Sequence, residues 1–333
     1  MNKTRKENGV FASADIRKNM RNQIQRILDL KKENDIYVIA HHYAPAETHE
    51  IADTLGDSRD FFLSVLKGCK EKNVLVLAPT FFAELTAAYM KDKNVFVPGR
   101  GSTCPVAMDN MLQFEHVKQW RDKYPELPLV VYGTSPMNLK LLADYIAFPG
   151  DVPEVINSVD ADRLLYVGEY NCTNEALRKV RKDVVVYPCQ PTCNVYNSAS
   201  VNDLEEIRKE HPDAIVMVHP ECNEEITAKA DYAIGTGKMM EIIRTSTADT
   251  FVLGVEKNFY LRMCREFPEK KFIHLSSYIS CSVFNVMRLD KVLDACDFSN
   301  TSETARTCVK VDSATAEKVS GLIYKMYKSF GQI

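Results

Sequence analysis

"VPGRGSTCPVAMDN", residues 97–110, sets a cysteine, Cys104, in a Gly- and Pro-rich loop directly after the apolar strand signal "NVFVPG". The chain has ten cysteines and no C-x-x-C pair, the nearest two being Cys189 and Cys193. A metal or catalytic role for Cys104 must therefore be assembled from distant segments. What decides it is whether other cysteines share its local setting.

Two do. Short apolar strands are predicted at "IYVIAHHY" (36–43), "LVVYGTS" (129–135) and "AIVMVHPE" (214–221), each running into polar residues and a helical segment. Each helix leads to an Ala-Asp pair: Ala52-Asp53, Ala143-Asp144 and Ala230-Asp231. A turn and a second helix are expected after each pair. A further strand follows ("VLVLAP", "LLYVGE", "FVLGVE"), then a helix ("FFAELTAAYM", "TNEALRKV", "NFYLRMCREF") and a last strand ("NVFVPG", "DVVVYP", "KFIHLS"). Strands alternating with helices of 10–15 residues indicate βαβ units and parallel sheets, and recurrence at a fixed period indicates a repeated unit. Nine residues beyond Val95, Val184 and Phe272 in the three last strands stand Cys104, Cys193 and Cys281, at intervals of 89 and 88. All three occupy the loop beyond a C-terminal strand end, where open α/β sheets bind ligands.

If the repeats pack around a pseudo-threefold axis, the three loops converge and three thiolates meet. Such a trio with a vacant fourth position suits an iron–sulfur cluster with one iron free of cysteine, or a catalytic zinc. The other seven cysteines (Cys69, Cys172, Cys189, Cys222, Cys264, Cys296, Cys308) do not recur in this way and read as small buried hydrophobes.

With 333 residues, 45% of them hydrophobic and 26% charged, the chain is an ordinary globular protein with room for two or three compact units. A formal charge of −3 gives no general attraction to nucleic acid or anionic membrane. The N-terminal "MNKTRKENGVFASADIRKNM" lacks the apolar core of a secretory signal, and no apolar run approaches the ~18 residues of a membrane span. A cytoplasmic location is expected, and in a reducing compartment ten cysteines argue against a disulfide framework.

In order along the chain, "AHHY" (40–43), "ADTLGDS" (52–58), "FFAE" (81–84), "STCPVA" (102–107), "VVYGTS" (130–135), the Cys193 loop, "HPE" (219–221), "GTGK" (235–238) and Cys281 resemble the quinolinate synthase family over roughly residues 35–300. The resemblance implies three similar three-layer α/β/α domains with parallel sheets around a pseudo-threefold axis. On this chain they span 36–118, 119–210 and 211–300, with helical segments at 1–35 and 301–333. It implies one [4Fe-4S] cluster held by Cys104, Cys193 and Cys281. It also implies the reaction, condensation of iminoaspartate with dihydroxyacetone phosphate with loss of phosphate and water. Expected partners are small carboxylate or phosphate substrates, an iminoaspartate-supplying oxidase or dehydrogenase, and iron–sulfur assembly machinery.

By the same resemblance His41, Tyr43, Tyr132, His219 and Glu221 are the catalytic set, with the Glu221 carboxylate near the open iron. Ser58 is a substrate-binding serine at a helix N-terminus, where backbone N–H groups suit anions. His42 should point to the other side of its strand and reads as structural. His49, His116, His211 and His274 read as surface or packing residues.

Departures from the family pattern bear on the substrate. Thr134 in "YGTSP" stands where the family has Asn, and "FPG" (Phe148, Pro149, Gly150) replaces a Thr-Ser-Ser that binds substrate. Tyr196 in "CNVY" replaces a histidine, and Gly237 in "GTGK" takes the place of a threonine, leaving Thr236 and bringing in Lys238. A lost hydroxyl that leaves its partner unpaired costs about 1–3 kcal/mol. Lys238 at a helix N-terminus could take over the anion, or be a solvated lysine. The reading is a [4Fe-4S] quinolinate synthase-like enzyme. The alternatives are a paralogue on the same scaffold acting as a lyase, dehydratase or sulfur-handling enzyme, and a non-catalytic iron–sulfur sensor or carrier.

Overall fold

The computed structural model describes residues 14–99, 102–302 and 307–333. One sheet contains β1 (Ile36–His41), β2 (Thr54–Gly56), β3 (Asn73–Leu77) and β4 (Asn94–Phe96). A second contains β5 (Leu129–Tyr132), β6 (Tyr145–Ala147), β7 (Arg163–Val167) and β8 (Asp183–Val186). The third contains β9 (Ile215–Val218), β10 (Tyr232–Ala233), β11 (Thr250–Gly254) and β12 (Lys271–His274). All twelve strands pair in parallel, and each sheet has the same spatial order: second strand, first, third, fourth. The α/β class with three parallel sheets, expected from the repeats, is what the chain forms.

β2, β6 and β10 fall where a turn and a helix were expected. Two or three residues are too few to show a period-2 pattern. The Ala-Asp pairs build them. Asp53 N–H donates to Val38 O (2.8 Å) while its Oδ2 accepts from Val38 N–H (2.7 Å). Asp144 does the same with Leu129 (2.9 and 2.8 Å), and Asp231 with Val216 (3.0 and 2.8 Å). Each carboxylate also meets a base: Lys31 at 2.9 Å, Arg121 at 3.0 Å and Arg208 at 3.2 Å. The repeated aspartate thus stitches the second strand to the first and satisfies a backbone donor at the sheet's start.

The central strands β1, β3, β5, β7, β9 and β11 are buried almost throughout, as strands of a parallel sheet covered by helices on both faces are, while the outer strands are more open. One core runs through the first two sheets and into the third by way of Phe251, Leu253 and Phe259; a smaller one, with Val216, Val218, Ile226 and Leu275, fills the third sheet's other face. Helix Ala14–Glu33 packs on helix Leu289–Cys296, with Asn34 Nδ2 donating to Cys296 O just beyond it (2.8 Å). The C-terminal segment is not helical throughout: β13 (Cys308–Val309) pairs antiparallel with β4 before helix Ser313–Ser329 packs on helix Thr80–Tyr89 and β6. No described helix is long and apolar enough to cross a membrane.

Candidate active site

The ends of β1, β5 and β9 present equivalent residues. Three residues on, a backbone N–H returns to each: Ala44 to His41 O (2.9 Å), Ser135 to Tyr132 O (2.9 Å) and Cys222 to His219 O (3.0 Å). Two residues on stand Tyr43, Thr134 and Glu221. His41 Nδ1 accepts from Tyr43 N–H (3.2 Å) and His219 Nδ1 from Glu221 N–H (3.3 Å). Burial, the first cause, brings both rings down to about 3, helped at His41 by His219. At neutral pH both are therefore uncharged, and with Nδ1 accepting, each carries its proton on Nε2. The 3.9 Å approach of His219 to Glu221 is then no ion pair.

Side chains from all three repeats interlock across this centre. The Tyr132 hydroxyl makes a short bond to Glu221 Oε1. Burial raises Glu221 above the usual carboxylate range, against hydrogen bonds from Tyr132 and Cys193 that lower it. Tyr43 and Tyr196 share a hydroxyl–hydroxyl bond of 2.7 Å, and Tyr196 stacks on His219 at 4.3 Å and 8°. Burial pushes all three phenols well above their ordinary value, so they remain protonated. His42 points away: its Nδ1 contacts Arg262 and its ring packs edge-on to Phe259 at 5.4 Å.

Cys104, Cys193 and Cys281 line one cavity with His41, His219 and Glu221; it encloses about 920 Å³ including its open mouth. Backbone N–H groups turn toward each sulfur, from Val106 and Ala107, from Tyr196, and from Val283 and Phe284. Burial nonetheless raises Cys104 to about 12, Cys281 to about 11 and Cys193 well up. Thiols so raised become thiolates when a cationic centre supplies the missing charge. Among the described residues no three His, Cys, Asp or Glu side chains are grouped as a single ion would require. Three cysteine sulfurs lining one cavity are a donor set that iron–sulfur clusters and thiolate-bound zinc both use. Of the other cysteines Cys172, Cys222 and Cys296 are buried, Cys69, Cys264 and Cys308 partly so; Cys189, expected inside, is exposed in the loop after β8.

The cavity is also lined by Asp57, Ser58, Arg59, Thr134, Asp151 and Thr236. Thr134 Oγ1 is buried without a hydrogen-bond partner. Ser58 and Thr236 begin ten-residue helices whose first turns face the same space. Arg59 is the lining residue with a permanent positive charge, held by Asp151 at 3.7 Å and Glu154 at 3.3 Å and lying 4.5 Å over the Phe330 ring. Lys238 is exposed and lines an adjoining cavity with Glu154 and Lys179 instead. Tyr132 is not among the lining residues and reaches the site through Glu221.

The departures from the family pattern are solved by packing. Phe148 is fully buried, stacked on Phe62 at 5.0 Å and Phe82 at 6.0 Å. A Cβ on Gly150 would stand 3.3 Å from Gly235 Cα, so the two glycines let these backbones touch. At Gly237 a Cβ would fall 2.4 Å from Asp57 Oδ2, which accepts the Gly237 N–H at 2.9 Å. Sequence reasoning assigned no role to Asp57, Arg59 and Asp151, although Asp57 lies within the quoted "ADTLGDS", Arg59 directly follows it and Asp151 directly follows "FPG". It also passed over Glu169 and Glu256, although both stood in its repeated strands "LLYVGE" and "FVLGVE".

The family model described as "NadA: Quinolinate synthetase A protein" matches residues 25–328. The quinolinate synthase of Thermotoga maritima is 32% identical over 308 residues, covering 92% of this chain and 100% of the relative. That of Pyrococcus abyssi is 33% identical over 250 residues (75% and 82%), and that of Methanocaldococcus jannaschii 29% over 310 (92% and 98%). Three repeats that bring one loop cysteine each to a cavity shared with His41, His219 and Glu221, and a family match over nearly the whole length, lead to one conclusion: the chain is an enzyme of the quinolinate synthase family.

Proposed function

We propose that this chain is a [4Fe-4S]-dependent quinolinate synthase that condenses iminoaspartate with dihydroxyacetone phosphate. The observation that carries the reading is the meeting of three loop thiols with Glu221 and two neutral histidines in one cavity. The reaction balances as quinolinate, phosphate and two waters, so it needs proton transfers and no net oxidant. Cys104, Cys193 and Cys281 would hold the cluster, which when bound supplies a Lewis acid at an iron without a protein ligand. The reaction class that must precede it is oxidation of an amino acid to its imine, by an oxidase or dehydrogenase.

The chain's own residues then have distinct tasks. The Nε2–H groups of His41 and His219 donate to substrate oxygens without adding charge. Glu221, partnered by Tyr132, carries a proton to and from the reacting carbons, and the Tyr43–Tyr196 pair supplies a second protonated contact. The helix N-termini at Ser58 and Thr236, with Arg59, receive carboxylate and phosphate. Thr134, whose hydroxyl has no partner, gains one from substrate. Phe82, Phe148 and Phe284 wall off water.

The test is an anaerobic assay of reconstituted protein with both substrates. Quinolinate is the expected product; a full cluster with no quinolinate would overturn the reading in favour of a paralogue with another small polar substrate. Glu221→Gln is expected to lower kcat by about 10²–10⁴-fold with KM nearly unchanged. Arg59→Gln should raise the KM for dihydroxyacetone phosphate by about tenfold, the loss of one charge-assisted hydrogen bond. Lys238→Ala should move it by less than about twofold, since a side chain in the adjoining cavity makes no such bond. Steady-state kinetics on the three variants decides between the two cations.

A further inference from the structure

Strand register makes residues 79, 169 and 256 equivalent: Leu77, Val167 and Gly254, two residues before them, pair with Ala40, Val131 and Val218. In the second and third repeats the same short pattern stands there, Glu169-Tyr170-Asn171 and Glu256-Lys257-Asn258. All four side chains of the pattern are buried. Glu169 Oε2 accepts from Cys172 N–H (2.7 Å), capping its own helix, and Oε1 accepts from the N–H of Cys193 (3.0 Å). Glu256 repeats this with Asn258 N–H (2.6 Å) and the N–H of Cys281 (3.2 Å). The asparagines reach the other way, into the next repeat: Asn171 Nδ2 donates to Glu221 O (3.1 Å) and Asn258 Nδ2 to Tyr43 O (2.9 Å).

We infer that each Glu-x-Asn segment is a two-headed clasp whose four side chains are positioning residues. The glutamate seats the cysteine loop of its own repeat, and the asparagine seats the catalytic loop of the following one. The ring is deliberately incomplete: the first repeat has Pro79-Thr80-Phe81, where Thr80 N–H reaches only Ser102 O (2.9 Å), two residues short of Cys104. Phe81 has no side-chain amide to offer the backbone carbonyl of Thr134, the residue equivalent to Tyr43 and Glu221. The glutamate half of the inference rests on the cluster reading.

Glu169→Gln and Glu256→Gln keep shape but cannot accept from both N–H groups at once. Anaerobically reconstituted variants should lose iron to a ferrous chelator about 10- to 100-fold faster than wild type, as loss of an outer-shell partner to a metal ligand does. Glu256→Asp should recover part of that lifetime. Asn171→Ala and Asn258→Ala should hold iron at the wild-type rate yet lose kcat by about 10-fold or more. Wild type that takes up no iron would overturn the cluster reading itself. Wild type that holds its iron while both glutamine variants release it no faster overturns the clasp, as do asparagine variants that match the glutamine variants in iron loss, since that is general destabilisation.

Discussion

Replacing Cys104, Cys193 or Cys281 singly by Ala is expected to give folded protein that assembles no intact cluster. Iron content and visible absorption should fall to background, and quinolinate formation by at least about 10²-fold. The three sulfurs are equivalent by repeat position, by the N–H groups turned toward them and by their shared cavity, so no one of them can substitute for another. Folding should survive because none is fully buried and each lies in a loop beyond a strand, where loss of one thiol leaves the sheets intact. Cys189→Ala is the control. It lies four residues from Cys193 but is exposed, and should keep full iron and full activity. Any of the three variants that retained wild-type iron would be removed from the ligand set.

Much of this was legible in the sequence because the signal was long-range and repeated. One cysteine nine residues beyond an equivalent position in the last strand of each repeat pointed to the sheet ends that meet, and the recurring Ala-Asp pairs marked equivalent points of the three repeats, though not the strands they stitch on. What stayed hidden was of two kinds. The strands themselves, two or three residues long, have no period to read. The other kind is contact between distant single residues: Asp57 against Gly237, Gly150 against Gly235, Phe148 against Gly133. Each such pair is chosen by space rather than by pattern, and neither partner alone announces it. Lys238 shows the consequence. Read along the chain it occupies the first turn of a helix suited to an anion, but it lines the adjoining cavity, and Arg59, next to Ser58, is the cation that lines the site.

The largest effect on stability is expected at Phe148, and it bears on how the site could be changed back toward the family pattern. Phe148→Thr restores a hydroxyl where the resemblance leads one to expect it. It also removes a fully buried ring from a stack with Phe62 and Phe82 and buries a hydroxyl in its place. A large-to-small core change of this kind costs about 3–5 kcal/mol, a large share of the 5–15 kcal/mol that holds a typical domain folded. Urea unfolding of the apo protein measures it, and a loss below about 1 kcal/mol would show that the stack contributes little. A second substitution separates lost packing from mere polarity. In wild type, a Cβ at Gly133 would stand 2.4 Å from Phe148 Cδ1, so Gly133→Ala should destabilise by about 1–3 kcal/mol through overpacking. With Thr at 148 the ring is gone and the same methyl enters the space it vacated, so Gly133→Ala should become neutral or stabilising. That change of sign is the signature of two residues sharing one volume. Additive effects would mean that Gly133 and Phe148 are uncoupled, and that the small residue after Tyr132 is there for some reason other than the ring.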